Sequence, residues 1–280
     1  MLNIKNTTHM LRHYKKYFFV LFLTFGCYSN IAQASLMIKP TRVVMDERNR
    51  SAEVTLLNNS STTKTYRILW EQKSQKENGA YGKLEDYEYS ASNFIRHSPR
   101  KVTIKPGEYQ KIKLRVKMPR ELADGEYRSH LLMKVTEDNV DFSKYIGDEE
   151  VKGTSAIIIP RLSFSIPVLV RKGKIDTKAD ITSITVTKNN EGNNIVKVDL
   201  AHGGNFSSFG SLAAYMKTPS GNVVPIGEAN NIALFRGTSK RTVDIPLQVP
   251  SIPKGAVVQV LYKGDDEFDG QILGKAAIRH

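Results

Sequence analysis

Apolar and polar residues alternate one by one in short runs along most of this chain. No convincing long stretch has the helical period after Ser35. Ser51–Leu57, Tyr66–Gln72, Lys101–Ile104, Gln110–Lys117 and Tyr127–Val135 carry the period-two pattern of half-buried strands. Turn-forming clusters separate them: Asn58-Asn59-Ser60-Ser61, Glu77-Asn78-Gly79, Lys105-Pro106-Gly107 and Ala123-Asp124-Gly125. About seven strands over some 130 residues predict an immunoglobulin-like sandwich. Trp70, inside one of these strands, reads as a core residue rather than a ligand platform. The pattern resumes at Ile181–Thr187, Ile195–Leu200, Leu212–Met216, Arg241–Pro246 and Val257–Tyr262, which predicts a second, smaller β-sandwich. The fold class is therefore all-β, with one sandwich over residues 35–170 and another over 171–280. The boundary falls at Arg171-Lys172-Gly173-Lys174, a linker short enough for the two to meet at an angle and form a cleft.

One stretch breaks the rules for a self-contained sheet. Ala156 to Val168 reads as a long strand, yet it holds Pro160 and Pro167. Proline has no N–H to donate, which confines it to edges, bulges and strand starts, so an edge strand is expected. Ile157-Ile158-Ile159 on an open edge is a template for another chain's strand, a hazard that proteins normally blunt. A strand lent to a partner follows. The polar segment from Glu137 to Lys152 precedes it as a flexible connection.

The N-terminus adds a compartment. Arg12, Lys15 and Lys16 precede the apolar run Tyr17–Gly26, and Ala32-Gln33-Ala34 supplies small residues at cleavage spacing. Residues 1–34 therefore read as a secretory signal peptide cut before Ser35, with lipidation at Cys27 as the alternative. No later run approaches the length of a membrane span. The whole sequence carries a formal charge of +13; loss of residues 1–34 removes four Lys/Arg and no Asp/Glu, leaving +9 over 246 residues. The single cysteine leaves with them, so the cores must hold the exported chain without a disulfide.

Four local patterns, in this order, resemble the periplasmic chaperones of the chaperone-usher pathway. They are Ile38-Lys39-Pro40-Thr41-Arg42-Val43-Val44, Ile104-Lys105-Pro106-Gly107-Glu108, Asp124-Gly125-Glu126-Tyr127-Arg128, and Phe164-Ser165-Ile166-Pro167-Val168. The Ser-Ile-Pro ending is most similar to the archaic or alternative branch. The resemblance implies two immunoglobulin-like domains in a boomerang, no cofactor and no metal. Its partners would be pilus or fibre subunits and an outer-membrane usher, met in the periplasm. It also implies that the last strand of the first domain completes a subunit lacking its own final strand. Counted in register with Leu162, the inserted face is Ala156, Ile158, Pro160 and Leu162, with Ile157 and Ile159 facing their own domain; a bulge would exchange the sets. A basic anchor for the subunit's C-terminal carboxylate is implied too. Arginine suits it, because a planar fork donates two parallel hydrogen bonds to a carboxylate. Arg42 matches the first-strand arginine of the family, while the lysine that the better-known branch places on the donor strand corresponds here to Ser163. Tyr127-Arg128 matches the archaic pattern, which favours Arg128 as the anchor, with Arg42 and Arg161 behind it.

Enzyme chemistry has little in its favour. His97, His130 and His202 have no partners at metal-ligand spacing, and no nucleophile elbow, Walker loop or dinucleotide fingerprint occurs. The run Lys111-Ile112-Lys113-Leu114-Arg115-Val116-Lys117 places its charges on one strand face; export argues against nucleic acid as their partner. The remaining rival is another secreted β-sandwich binding protein, such as an adhesin or fibre subunit.

Overall fold

The computed structural model describes residues 35–136 and 162–280. The described elements are strands, apart from short 3₁₀ turns such as Ser92–Phe94 and Asp266–Phe268. In the first sandwich they are β1 (Leu36–Lys39), β2 (Val43–Met45), β3 (Ser51–Asn58), β4 (Lys64–Gln75), β5 (Tyr81–Leu84), β6 (Ile95–Ser98), β7 (Lys101–Ile104), β8 (Tyr109–Val116), β9 (Gly125–Val135) and β10 (Phe164–Lys172). One sheet has the order β1-β3-β8-β6; the other has β2-β10-β9-β4-β5, with β7 also paired to β4. The first strand thus serves both sheets. β1 pairs antiparallel with β3, the chain turns at Pro40, and β2 pairs parallel with β10.

The core lies where the alternation puts it. Val54, Leu56, Ile112 and Leu114 project from one sheet onto Tyr66, Ile68, Leu131, Met133, Ile166, Val168 and Val170 of the other, all buried. Each such side chain contributes about 1.5–3 kcal/mol by leaving water. On β8 the predicted alternation holds: Ile112, Leu114 and Val116 are buried, and Lys111, Lys113 and Arg115 are exposed. Trp70 is half-buried against this core, edge-on to His97 with ring centroids 5.6 Å apart.

The second sandwich is built of β11 (Thr177–Lys188), β12 (Asn194–Gly204), β13 (Ser208–Lys217), β14 (Val223–Leu234), β15 (Arg241–Pro246), β16 (Val257–Gly264) and β17 (Ile272–Arg279). Its sheets are β11-β12-β15 and β14-β13-β16-β17, closed over Val196, Val198, Leu200, Leu212, Val258, Val260 and Tyr262. The architecture is two all-β sandwiches.

Two expectations are corrected here. The strand ending in Ser-Ile-Pro-Val is not an edge throughout. Among the described residues Phe164–Pro167 has β9 on one side only, but Val168–Val170 is flanked by β2 as well. Pro167 is the last residue of the open half, where its missing N–H costs no ladder bond on the β2 side. Arg171 and Lys172 complete β10 instead of starting a linker. Arg171 can be buried there because a carboxylate meets it.

Candidate functional site

The even-numbered residues of β10 from Ile166 to Val170 are buried in the first core, so the odd ones face away from it. Leu169, fully buried, packs with Phe209, Phe235 and Phe268 of the second sandwich, and partly buried Val44 and Leu273 close the cluster. Two arginines bracket this apolar contact. The Arg42 guanidinium lies 3.5 Å from the centroid of Phe209, and that of Arg128, cross-strand from Leu169, lies 4.0 Å from the centroid of Phe235. The two rings meet edge-on, 5.9 Å apart. A guanidinium over a ring face is held by the ring quadrupole, more strongly once water is excluded.

The two differ in how their charge is met. Arg42 pairs with Asp266 and stands 4.0 Å from Glu267. Arg128 is 4 % exposed and donates from Nη2 to the carbonyl of Lys73 at 2.9 Å. No carboxylate forms an ion pair with it among the described residues. Burial pulls its pKa below the ordinary value, with Tyr87 and then Glu126 opposing the shift.

Beside it, His130 is 1 % exposed, and neither ring nitrogen has a hydrogen-bond partner among the described residues. Its ring stands edge-on to Tyr81 at 5.2 Å and to Phe235 at 6.4 Å. Burial, then the charges of Arg128 and Lys73, push its pKa down to about 3, so the imidazole is neutral. Lys73 donates to Ser165 Oγ on β10 at 2.7 Å and pairs with Glu71 at 2.8 Å. An ammonium therefore reaches Phe164–Pro167 of β10 from β4.

Two further devices tie the sandwiches together. Glu126 and Arg171, opposite each other on β9 and β10, form a buried pair at 3.0 Å. Glu126 also accepts from the Ser207 backbone N–H at 3.1 Å and from its hydroxyl, while Arg171 donates to Glu267 at 2.7 Å and to the Ser207 carbonyl at 3.2 Å. Nearly every polar atom of the pair is met, the condition under which buried charges are tolerable. Gln75, at the end of β4, donates to the Ala233 carbonyl at 3.0 Å and accepts from the Phe235 N–H at 3.2 Å. Along this seam runs a cleft of about 890 Å³, lined by Lys39, Arg42, Tyr81, Phe209, Asn231 and Asp266 among others. Its charged lining is mixed, with Lys39 and Arg42 against Asp265, Asp266 and Glu267. Among the described residues no group of His, Cys, Asp or Glu is arranged to hold a metal ion, and no helix is long and apolar enough to cross a membrane.

Of the residues read from the sequence, Arg42 and Arg128 come together at this seam. Leu162 stands just before β10, 63 % exposed. Ala156, Ile158, Pro160 and Arg161 lie outside the described residues, as does the segment read as a signal peptide. Lys73, Tyr81, Glu126, His130, Arg171, Phe209 and Phe235 were not read as parts of the site. Glu126 and Arg171 fall on the strand face turned away from the first core, where the alternation leaves charges unremarkable.

No family model and no curated protein matches the chain. Solved structures do, and many of them are chaperones of fimbrial assembly. The chain is similar to the YadV chaperone (14% identity, TM-score 0.45, 88% of this chain and 100% of that one). It is similar also to the E. coli chaperone DraB (14%, 0.43, 88% and 95%). A third is a chain of the CsuC–CsuE chaperone–tip subunit pre-assembly complex from archaic chaperone-usher Csu pili of Acinetobacter baumannii (14%, 0.38, 72% and 89%). Identities of this order speak to fold alone, and the TM-scores lie below one half.

Proposed function

We propose that this chain is a non-enzymatic periplasmic chaperone. It binds a pilus or fibre subunit by lending it a strand, and it hands the subunit to an outer-membrane usher without nucleotide or metal. The observation that carries this reading is the half-open strand. Among the described residues Phe164–Pro167 pairs on one side only, with β9, and Lys73 and Arg128 stand on the cleft face of β10. An extended chain laid along that side would find backbone groups to pair with and cations near its end. The inserted face is Ala156, Ile158, Pro160 and Leu162. Even-numbered side chains turn inward from Ile166 on, so this set needs one irregular residue before β10, and Leu162 and Ser163 lie outside any strand. Without that irregularity Ile157 and Ile159 take the role.

Arg128 is the proposed anchor for the subunit's terminal carboxylate, with Arg42 and Arg161 as secondary cations. Arg42 is already paired with Asp266, whereas Arg128 has no described carboxylate. Affinity measured for a co-purified subunit tests the reading. Ile158→Asp places an unpaired charge in the subunit's apolar groove and should abolish capture while leaving the free chain folded. Arg128→Ala should weaken capture by about 2–5 kcal/mol, and amidating the subunit's C-terminus should erase most of that gap. Recovery of the chain from the periplasm with no subunit bound, or self-association through its own strand, would favour the adhesin or fibre-subunit reading.

A further inference from the structure

The sheet β1-β3-β8-β6, which meets the cleft only through Ile38 and Lys39 at the end of β1, turns its second face to solvent, and that face is graded. Strand register sets its rows. Met37, Leu57 and Tyr109 are neighbours across three strands; next come Lys39, Thr55 and Lys111; then Glu53, Lys113 and Ser98; then Ser51, Arg115 and Arg96. Met37 and Tyr109 are 50% and 65% exposed, and Lys39, Arg96, Lys111, Lys113 and Arg115 are all exposed. These cations share the face with one carboxylate, Glu53, which Lys111 holds at 2.8 Å. Arg96 and Arg115 stand directly opposite each other in register. Like charges so placed destabilise a sheet, and nothing in the core or cleft draws on them.

We propose that this face is a docking surface for an anionic lipid bilayer. The cations project from the plane of the sheet, where the backbone of β3 and β8 is already bonded to neighbours. Over β3 and β8, the latter carrying Lys111, Lys113 and Arg115, an extended acidic peptide therefore cannot add as a strand. A broad plane with basic rows and an apolar row at one end matches a membrane interface instead. Headgroup phosphates meet the cations, and Tyr109 and Met37 reach toward the acyl boundary. A second copy of the chain would bring basic face to basic face.

The test is co-sedimentation with vesicles, using purified protein whose N-terminus is mapped by intact mass so that no apolar leader remains. Vesicles of about three parts phosphatidylcholine to one of phosphatidylglycerol should bind roughly tenfold more tightly than phosphatidylcholine alone at about 50 mM salt, and raising the salt to about 300 mM should remove most of the difference. Lys113→Glu with Arg115→Glu should lower anionic-vesicle binding about tenfold or more with the melting curve unmoved. Lys113→Gln with Arg115→Gln does the same service should the reversed charges, set against Glu53, unfold the sheet. Tyr109→Ser should weaken binding while leaving its salt dependence intact. Equal binding to both vesicle types overturns the proposal. So does undiminished binding by a folded charge variant, or retention on polyglutamate without retention by vesicles, which would make the face a site for an acidic protein.

Discussion

Val168 and Leu169 are consecutive on one strand and both fully buried, yet they lie in different cores. Val168 packs inside the first sandwich, while Leu169 packs against Phe209, Phe235 and Phe268 of the second. Their two alanine substitutions should therefore separate stability from coupling. Leu169→Ala should cost about 2–5 kcal/mol of contact between the sandwiches and split urea unfolding into two transitions. Val168→Ala should lower the transition of the first sandwich and leave the pair coupled. A single cooperative transition in both variants would show that the polar bridges alone hold the seam.

The Glu126–Arg171 pair predicts strong non-additivity. Arg171→Met leaves the buried Glu126 carboxylate without a cation and should destabilise by about 3–5 kcal/mol, whereas Glu126→Gln leaves Arg171 paired with Glu267 and should cost less. The double substitution should recover much of the loss, because no naked charge remains. Urea midpoints of the three variants give the coupling energy directly.

His130 makes stability depend on pH. Its folded pKa of about 3 lies below the ordinary 6.5, so the unfolded state binds more protons between those values. The contribution is whole above pH 6.5 and is lost as pH falls toward 3. Between pH 7 and pH 5 the loss is about 2 kcal/mol. His97 is also pushed down by burial and adds the same sign. His130→Leu should flatten the His130 share of the slope. An unchanged slope would mean that the ring finds a partner for its proton.

Arg128 predicts a division between folding and capture. Its hydrogen bond to Lys73 and its stacking on Phe235 favour the folded state, and its desolvation opposes them. Arg128→Met should therefore change stability by less than about 1.5 kcal/mol, while capture of a subunit falls far more. Arg128→Lys should rescue capture only in part, since a point charge lacks the planar fork. Thermal melts and affinity measured on the same preparations check both halves.

Strands with strict alternation were legible in the sequence, and Lys101–Ile104 and Arg241–Pro246 fall where the pattern put them. Those not read had weak signals. β14 is interrupted by Pro225 and Gly227, with register shifts on its partner β13, and β17 is rich in small residues. Arg42 and Arg128 came from short motifs. The phenylalanines that stack on them could not, because Phe209 and Phe235 look like ordinary core residues until the second sandwich is placed against the first. Arg171 was read as part of a linker for the same reason. Its burial depends on Glu126, forty-five positions away, and on Ser207 and Glu267 of the other sandwich.

The split of the first strand between two sheets governs the order of folding. Val43–Met45 finds its described sheet partner only in Val168–Val170. A chain emerging from its N-terminus holds this short segment ready while most of a domain's length is still to come. Closing so long a loop carries the entropy cost of non-local pairing. The first sandwich therefore finishes with its last strand, which closes the sheet between β2 and β9. A chain cut before Val168 would leave β2 and the Gly125–Ser129 half of β9 unsealed, exposed to any strand that reaches them.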